Sequence, residues 1–398
     1  MTRGITMSGQ GFDTLLVSGG YDPTEHRWHR SEPIYPDAAV VQPDCRTAAA
    51  RFAGTEEGLV YARFGTDNDI LVEKRVSLLE GAEASKCFGS GLAAINCLLY
   101  ALAEDGDHIA VQEKMYGGTI AAITKLLMRA GVRVTFIKNT HDHDEWKRAC
   151  KKKRTKLLFA EILSNPTLEV LDVEPISEIA KNHNAALVID ATFATPVLFR
   201  PLEWGADYSI HSTTKFMNIG GTNMGGIASG PKDGIKKIQA VANVWGAPLS
   251  AFDAWLTIKG MPILKDKLLH QSKSAFEIAS FLAKHPRVKK VYYPKLMSSP
   301  DYFRAKRYLP EGCGAVLALE LEGTKEDATH FIESLGLWSH LVNLGDIHSL
   351  ATCPALTTHS TIPKEMRERA GITDTFIRLS IGLEDVEDLK DDLTKALG

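Results

Sequence analysis

The chain has 398 residues, of which 44% are apolar and 24% carry a charged side chain. Because one hydrophobic core seldom organises a chain of this length, we expect a globular protein of two or more domains. No segment approaches the roughly 20 consecutive apolar residues of a membrane span. A formal net charge of -3 gives no field that would attract nucleic acid. We therefore expect a small molecule as the partner, with no nucleic acid and no membrane.

The cysteines and the termini indicate the compartment. Six cysteines are scattered without a CxxC pair, which argues against both a zinc cage and a disulfide framework. The first residues lack the apolar core of a signal peptide, and the last residues carry no lipidation motif. These features predict reduced thiols and a cytoplasmic protein.

The pattern along the chain predicts three segments. Residues 1–62 contain scattered prolines and little hydrophobic periodicity, which predicts an N-terminal arm that grips a neighbouring subunit. Residues 63–250 are assigned to a large domain and residues 251–398 to a smaller α+β domain. The predicted elements of the small domain are a helix over 268–282, strands over 288–293 and 315–321, and a terminal helix over 386–397.

The large domain alternates short apolar runs with helical patterns, as an α/β fold with a parallel sheet requires. The predicted strands are Ile109 to Gln112, Val132 to Ile137, Leu157 to Ile162, Ala186 to Asp190 and Tyr208 to His211. Several of these runs are followed directly by polar residues. Because open α/β sheets bind ligands beyond the carboxyl ends of their strands, we expect Glu161, Asp190 and the segment from His211 to Lys215 to gather in one pocket.

Lys215 is the first candidate for chemistry. It follows the predicted strand end in Tyr208-Ser-Ile-His-Ser-Thr-Thr-Lys215. In a partly dry pocket, a lysine can act as an imine-forming nucleophile and later carry a proton. Ser212 and Thr214 can donate hydrogen bonds to a phosphate. The alternative is a surface lysine in a turn.

Two further motifs support a cofactor site. Asp190 ends the apolar run Ala185-Ala-Leu-Val-Ile-Asp190, where a carboxylate can keep a pyridine nitrogen protonated. Phe88-Gly-Ser-Gly-Leu-Ala-Ala-Ile95 precedes a helical pattern, and its backbone N–H groups can bind a phosphate at the helix N-terminus. The alternatives are a strand cap for Asp190 and a bare glycine turn for the second motif.

These segments together resemble the fold-type I pyridoxal 5′-phosphate (PLP) enzymes of cysteine and methionine metabolism. That family includes cystathionine γ-synthases, cystathionine γ-lyases, methionine γ-lyases and acylhomoserine sulfhydrylases. The resemblance covers nearly the whole chain through the segments Gly20-Tyr-Asp-Pro, Tyr61-Ala-Arg63, FGSGLAAI, Tyr116-Gly-Gly-Thr, Glu161 with Ser164-Asn-Pro, VIDATFATP, RPLEWGAD, HSTTK and IRLSIGLEDVEDL. It implies an α/β fold with a mostly parallel central sheet flanked by helices, an N-terminal arm and a smaller C-terminal α+β domain.

The resemblance also implies roles for particular residues. Lys215 becomes the Schiff-base lysine, Asp190 the partner of the pyridine nitrogen, and Tyr116 the catalytic ring that stacks on the cofactor. Substrate-binding positions are Asn165, Asn343 and Arg378, with Arg378 as the clamp for the α-carboxylate. The alternative for Arg378 is a solvated strand arginine.

The resemblance builds the phosphate site from two subunits. One subunit contributes Ser90, Gly91, Leu92, Ser212 and Thr214, and its neighbour contributes Tyr61 and Arg63. A site of this kind requires a homo-oligomer of at least two subunits, and the family favours a tetramer.

Departures from the family pattern bear on the reaction. Gly118 stands where methionine γ-lyases have cysteine, and Asn343 with the Thr357-Thr-His359 segment is similar to sulfhydrylases. The favoured function is γ-replacement on an activated homoserine, by an O-acylhomoserine sulfhydrylase or a cystathionine γ-synthase. The alternatives are γ-elimination from methionine, cystathionine or a related amino acid, and a non-catalytic relative with an assembly role. Thr66-Asp-Asn68 and Ile219-Gly220 also depart from the pattern, and the first predicts an entrance loop of altered shape.

Two polar segments are assigned no chemistry. The basic run from Lys147 to Lys156 predicts a solvated face. The segment His141-Asp-His-Asp144 contains metal-ligand types, but no distant ligand cluster completes a site, and it predicts a polar loop before a helix.

Overall fold

The computed structural model describes residues 9–151, 155–360, 364–369 and 371–398. Within these ranges the chain forms two β-sheets with helices packed around them. Part of the predicted basic run, residues 152–154, lies outside the described residues. Two members of the run that are described, Lys147 and Arg148, form surface ion pairs with Asp144 and Asp142.

The large sheet confirms the predicted parallel architecture. Its strands are β1 Ala84–Phe88, β2 His108–Gln112, β3 Arg133–Ile137, β4 Thr155–Glu161, β5 Ala186–Asp190, β6 Tyr208–His211 and β7 Gly226–Gly230. They lie in the order β1-β7-β6-β5-β4-β2-β3. Strands β2 to β6 pair in parallel, whereas β7 is antiparallel to both β1 and β6. The predicted strands correspond to β2 to β6, so their carboxyl ends lie at one edge.

The second sheet belongs to the C-terminal part of the chain. Its strands are β8 Val288–Tyr292, β9 Val316–Leu321, β10 Ser339–His340, β11 Leu350–Thr352 and β12 Phe376–Ser380. They lie in the order β10-β11-β12-β9-β8, with β12 antiparallel to both neighbours. All five residues of β12 are buried, so the alternative of a solvated strand around Arg378 is wrong.

Helices surround both sheets. Their bounds are α1 Phe12–Ser18, α2 Cys45–Phe52, α3 Asp67–Glu80, α4 Gly91–Leu102, α5 Gly117–Ala122, α6 His143–Cys150, α7 Val173–Asn182, α8 Thr195–Leu198, α9 Lys232–Trp245, α10 Ala251–Gly260, α11 Leu264–Leu282, α12 Tyr302–Tyr308, α13 Lys325–Ser334, α14 Lys364–Arg369 and α15 Val386–Leu397. The N-terminal segment therefore holds two short helices. No helix in the described ranges has the length and apolar composition needed to cross a membrane.

The unusual segment Thr66-Asp-Asn68 starts helix α3. The Thr66 hydroxyl accepts a hydrogen bond from the Asp69 N–H (3.2 Å), and the Asp69 carboxylate accepts one from the Thr66 N–H (3.0 Å). This reciprocal capping box satisfies two N–H groups at the start of the helix. Asn68 bonds the backbone of Tyr35 and Pro33 at 2.8 Å each. The segment Thr66-Asp-Asn68, which differs from the family pattern, therefore starts helix α3 and holds the N-terminal segment against that helix.

Two hydrophobic layers cover the large sheet, because parallel strands bury both faces. One layer contains Leu98 of α4, Ile238 of α9 and Val111 of β2. The other layer extends from Leu158 of β4 to Leu317 of β9 in the second sheet. This shared core fixes β12 near the carboxyl edge of the large sheet.

Arg75 of α3 holds the N-terminal segment by its guanidinium. The side chain is fully buried and donates hydrogen bonds to the carbonyls of Gly19 (2.9 Å) and Ile258 (3.4 Å). It also bonds the Glu32 carboxylate at 3.1 Å, which Lys259 binds as well. One side chain therefore joins three distant segments of the chain.

We predict that Arg75→Met lowers the free energy of unfolding by about 2 kcal/mol or more, because methionine leaves two buried carbonyls without a donor. Chemical denaturation measures the loss. Lys147→Met is the control, since its ion pair with Asp144 is more than half exposed and an exposed pair contributes about 0–1 kcal/mol. Equal losses in the two variants would contradict this role for Arg75.

Candidate active site

A cavity of about 310 Å³ lies at the carboxyl edge of the large sheet, under β12. Its lining residues are Ser90, Gly91, Leu92, Ile95, Tyr116, Glu161, Leu163, Asn165, Asp190, Thr192, Phe193, Ser212, Thr214, Lys215, Met224, Val342, Asn343, Leu344, Thr358, His359 and Arg378. Every candidate site residue from the sequence lies here except Tyr61 and Arg63. Strand ends, a helix N-terminus and the second sheet therefore meet around one space.

Lys215 follows β6 after a short turn. Its Nζ donates a hydrogen bond to Asn343 Oδ1 at 2.5 Å. Burial, together with the positive charge of Arg378, lowers the pKa of Lys215 to about 8. The uncharged form, which a nucleophile or base requires, is therefore far more abundant near neutral pH than in an exposed lysine.

Two carboxyl groups stand side by side at the sheet edge. Asp190 ends β5 and Glu161 ends β4, and the two residues are partners in the parallel register. Burial raises the pKa of both groups, and the charge of Asp190 raises the pKa of Glu161 further. The Thr192 N–H donates to Asp190 Oδ1 at 2.9 Å and favours its charged form. A cation placed against Asp190, such as a protonated pyridine nitrogen, would offset the cost of this buried charge.

Glu161 positions two neighbouring segments. Its Oε1 accepts a hydrogen bond from the Tyr116 N–H, and its Oε2 accepts one from the Asn165 N–H, both at 2.8 Å. The sequence placed Glu161 at this edge but gave it no role. The geometry shows a carboxyl group that fixes the backbone of Tyr116 and Asn165.

The Tyr116 ring lies over Gly118. A Cβ atom added at Gly118 would lie 2.4 Å from Cε1 of the Tyr116 ring. Any other residue at position 118 would therefore displace the ring from this position. Gly118, which stands where methionine γ-lyases have cysteine, therefore affects the orientation of the Tyr116 ring.

The N-terminus of α4 fits a phosphate group. Its first N–H groups, including those of Gly91 and Leu92, have no carbonyl one turn earlier in the helix, and the Ser90 hydroxyl accepts the Ala93 N–H at 3.1 Å. A Cβ atom at Gly91 would lie 2.6 Å from Cβ of Ser212, so glycine allows this close approach. The Thr214 hydroxyl bonds the Gly225 backbone, accepting from its N–H at 2.9 Å and donating to its carbonyl at 3.1 Å.

Arg378 is held rigidly above the cavity. Its side chain donates to Asn165 Oδ1 (3.1 Å) and to the carbonyls of Val342 (2.9 Å) and Asn343 (3.1 Å). Burial lowers the pKa of Arg378 to about 10, so the guanidinium remains charged at neutral pH. An oriented cation in a dry cleft is suited to a carboxylate ligand.

Tyr61 and Arg63 lie outside the cavity of their own chain. The Arg63 Nη1 donates to the Asn243 carbonyl at 2.6 Å, and its guanidinium carbon lies 4.7 Å from the centre of the Phe64 ring. Tyr61 is 44% exposed. The single chain does not bring these two residues to Lys215.

Thr192 and His359 are among the lining residues that sequence reasoning did not assign to the site. Thr192 donates its N–H to Asp190, and its hydroxyl accepts the Ser212 N–H at 2.9 Å, so it links two neighbouring strand ends. Its position two residues after Asp190 was the available signal. His359 was noted in a motif but not as part of the site. Burial lowers its pKa to about 4, and the charges of Arg378 and Arg367 act in the same direction.

A fully buried polar group lies behind the sheet edge. The His211 ring contacts the Glu80 carboxylate, and both side chains share the Ser209 hydroxyl, at 3.0 Å from His211 and 3.2 Å from Glu80. Positive charge on His211 opposes part of the effect of burial on the pKa of Asp190. The pair therefore favours an ionised Asp190.

The histidines of the segment His141-Asp-His-Asp144 each lie beside an aspartate. His141 lies 3.1 Å from Asp301, and His143 lies 3.0 Å from Asp172. Across the described ranges, His, Cys, Asp and Glu side chains form no group of three that could hold a metal ion.

We predict that Lys215 in cofactor-free protein reacts with formaldehyde and cyanoborohydride at unusually low pH. Its labelling should reach half of the maximum near pH 8, because the reactive amine is uncharged above its pKa. Peptide mass spectrometry across a pH series measures this, with exposed Lys237 as the reference within the same chain. Arg378→Met should move the midpoint to higher pH. Identical pH profiles for Lys215 and Lys237 would contradict the burial effect.

Comparison with known proteins agrees with this site. Residues 13–398 match the model of the Cys/Met metabolism PLP-dependent enzyme family. An O-succinylhomoserine sulfhydrylase of Pseudomonas aeruginosa is 37% identical over 98% of this chain and 96% of its own length. An L-methionine gamma-lyase of Porphyromonas gingivalis is also 37% identical, over 97% of both chains.

A solved structure extends the agreement to the fold and the cofactor. A Campylobacter jejuni protein, titled an O-acetylhomoserine (thiol)-lyase, superposes with a TM-score of 0.92 at 31% identity, over 98% of this chain and 100% of that one. Its structure contains an N′-pyridoxyl-lysine-5′-monophosphate. The N-terminus of α4, the paired carboxyls of Glu161 and Asp190 and the buried Lys215 of the present chain fit the same cofactor. The chain therefore belongs to the Cys/Met metabolism PLP-dependent enzymes.

Proposed function

We propose that this PLP-dependent enzyme replaces the γ-substituent of an O-acylhomoserine with a thiol or sulfide. The observation that carries the proposal is the hydrogen bond from Lys215 Nζ to Asn343 Oδ1. It places an amide, at a position similar to sulfhydrylases, directly against the proposed reactive amine. The relative named as an O-succinylhomoserine sulfhydrylase supports the same reaction.

The proposed chemistry divides between cofactor and protein. When bound, PLP supplies an electron sink that acidifies the Cα–H and Cβ–H groups of the amino-acid substrate. Asp190 would hold the proton on the pyridine nitrogen, favoured in its charged form by Thr192 and His211. Gly91, Leu92 and Ser212 would hold the phosphate. These contacts orient the cofactor relative to Lys215.

Lys215 is the proposed proton carrier. Its pKa of about 8 allows the amine to accept a proton from Cα of the substrate and to return one there after the thiol or sulfide has bonded at Cγ. Asn343 orients the amine through the hydrogen bond to Nζ. The Asn343 carbonyl also accepts from Arg378, so one residue sets the spacing between the base and the carboxylate clamp.

Arg378, Asn165 and Tyr116 are proposed to orient the substrate. Arg378 would bind the α-carboxylate through its planar fork, and Asn165 holds that fork at 3.1 Å. Tyr116 lies near Asn165, because Glu161 accepts hydrogen bonds from the backbone N–H groups of both residues. Its hydroxyl is the proposed donor of a proton to the leaving group.

Elimination without replacement is the second candidate. The relative named as an L-methionine gamma-lyase is as similar as the sulfhydrylase, at 37% identity. Both reactions would use Lys215, Asp190 and Arg378 in the same way until the γ-substituent leaves. The reactions differ in whether a nucleophile or a proton is then added.

A substrate panel distinguishes the two reactions. We predict that O-acetyl- or O-succinyl-L-homoserine with sulfide gives homocysteine and the free carboxylate, measured by mass spectrometry.

Lys215→Ala keeps the proposed phosphate-binding residues Gly91, Leu92 and Ser212. It should lower the rate by about 10²–10⁴-fold or more because the proton carrier is lost. Release of 2-oxobutyrate from L-methionine, faster than any replacement, would contradict the proposal and establish the elimination reaction.

We infer that the enzyme is a homo-oligomer of at least two subunits, with a tetramer favoured by the family resemblance. Large apolar side chains of the N-terminal segment are exposed on the single chain, including Trp28 (73%), Val41 (94%) and Phe52 (67%). Large exposed apolar side chains concentrated in one segment support the proposal that this segment contacts a partner subunit. Free cysteines also support a cytoplasmic location.

A shared site predicts complementation between inactive subunits. Arg63→Ala should weaken cofactor binding about ten-fold, because a charge-assisted bond to phosphate contributes roughly 1.5–3 kcal/mol. Mixing Arg63→Ala with Lys215→Ala subunits should restore activity, since a hybrid dimer regains one intact site. If subunit exchange is verified by mass spectrometry and no activity returns, Arg63 does not act across an interface.

A further inference from the structure

A second chamber adjoins the active-site cavity. It has a volume of about 200 Å³, and two of its lining residues, Asn165 and His359, also line the active-site cavity. Its other lining residues are Glu113, Lys114, Met115, Gly117, Ile120, Thr124, Phe136, Pro166, Thr167, Arg367 and Ile372. The two spaces therefore share one wall.

The shared wall is polar and uncharged. Burial, with the charges of Arg378 and Arg367, lowers the pKa of His359 to about 4, so its imidazole is neutral at physiological pH. Asn165 is fixed from two sides, by its N–H on Glu161 and by its side chain on Arg378. A substrate whose α-carboxylate lies on Arg378 would therefore lie against this wall.

The lining of the chamber combines apolar side chains with two cations, Arg367 and Lys114. Arg367 is almost fully buried and donates to the Ile372 carbonyl (3.0 Å) and to Asp374 (2.6 Å). Lys114 bonds Glu169 at 2.5 Å. Methylene groups suit the apolar walls, whereas a carbonyl or carboxylate oxygen suits the N–H donors of these two cations.

We propose that the chamber is the binding subsite for the acyl arm of an O-acylhomoserine, an inference that rests on the proposed function. A hydrosulfide ion is far smaller than a space of 200 Å³. A short acyl arm is large enough to use it. The arm's ester oxygen would face the shared wall, and its far end would face Lys114 and Arg367.

A surface groove gives the released acid a route outward. The groove has a volume of about 400 Å³ and shares Lys114 and Thr167 with the chamber. Lys289 and Lys290 also line it. Glu169 and Asp301 line the groove as well, so its three lysines exceed its two carboxylates by one. This small positive excess favours the movement of a carboxylate anion from the chamber to solvent.

The test narrows the chamber without touching the active-site cavity. Ile120 lines the chamber and, among the described residues, does not line the cavity around Lys215. Ile120→Phe should fill part of the chamber, and Ile120→Val is the control that keeps it open. Thr124 is an exposed residue that also lines the chamber, so Thr124→Phe is the second variant if Ile120→Phe folds poorly.

Steady-state kinetics of the holoenzyme and a reaction without an acyl arm provide the readouts. We expect Ile120→Phe to lower kcat/KM for O-succinyl-L-homoserine by about ten-fold or more, and for the acetyl ester by less, because a longer arm needs more room. Inhibition by free succinate should weaken in parallel. Exchange of the Cα proton of L-2-aminobutyrate in D₂O, followed by NMR, should stay within about two-fold of wild type, since this amino acid has no acyl arm.

The outcomes separate the two proposals. If wild-type enzyme releases no carboxylate from either ester, the proposed function fails and this inference fails with it. If wild-type enzyme releases carboxylate and both phenylalanine variants match Ile120→Val on both esters, the subsite is overturned alone. An equal loss in proton exchange and in ester turnover would also overturn it, because the substitution would then act on the catalytic cavity.

Discussion

The parallel register of β4 and β5 is the constraint on which the site depends. It brings Glu161 and Asp190 side by side at a buried sheet edge, where burial raises the pKa of both carboxyls. The same dry space lowers the pKa of Lys215 to about 8. Removing water from one cleft therefore gives an amine that loses its proton more easily and a carboxyl group whose ionisation depends on a cation. A protonated pyridine ring is a cation suited to this place.

The second sheet completes the site because both sheets share one hydrophobic core. Its strand β12 carries Arg378 over the cavity, and the loop before β11 brings Asn343 within 2.5 Å of Lys215 Nζ. Arg378 in turn bonds Asn165 of the large-sheet side and the carbonyl of Asn343. The distance between the proposed base and the proposed carboxylate clamp is therefore fixed by packing between the sheets, and a loosened core would disturb the proposed reaction as well as the fold.

The sequence predicted β2 to β6 because continuous apolar runs mark buried parallel strands, and polar residues after those runs located the cavity. It missed β1 and β7, whose segments Ala84-Ser-Lys-Cys-Phe88 and Gly226-Ile-Ala-Ser-Gly230 contain too few large apolar residues. His359 reaches the cavity through the folding of a distant segment, so no local pattern identified it. The proposed roles of Tyr61 and Arg63 require a second subunit and remain predictions, as do the domain boundaries at 62 and 250.

The central claim is that Lys215 carries the cofactor, and a second buried lysine makes the test specific. Burial also lowers the pKa of Lys267 to about 8, but its Nζ is bound by the carbonyls of Phe216 (2.8 Å) and Asn218 (2.5 Å). The measurement is borohydride reduction of the holoenzyme, followed by digestion and peptide mass spectrometry. The account predicts a pyridoxyl phosphate adduct on Lys215. An adduct on Lys267, or no adduct on any lysine, would contradict it.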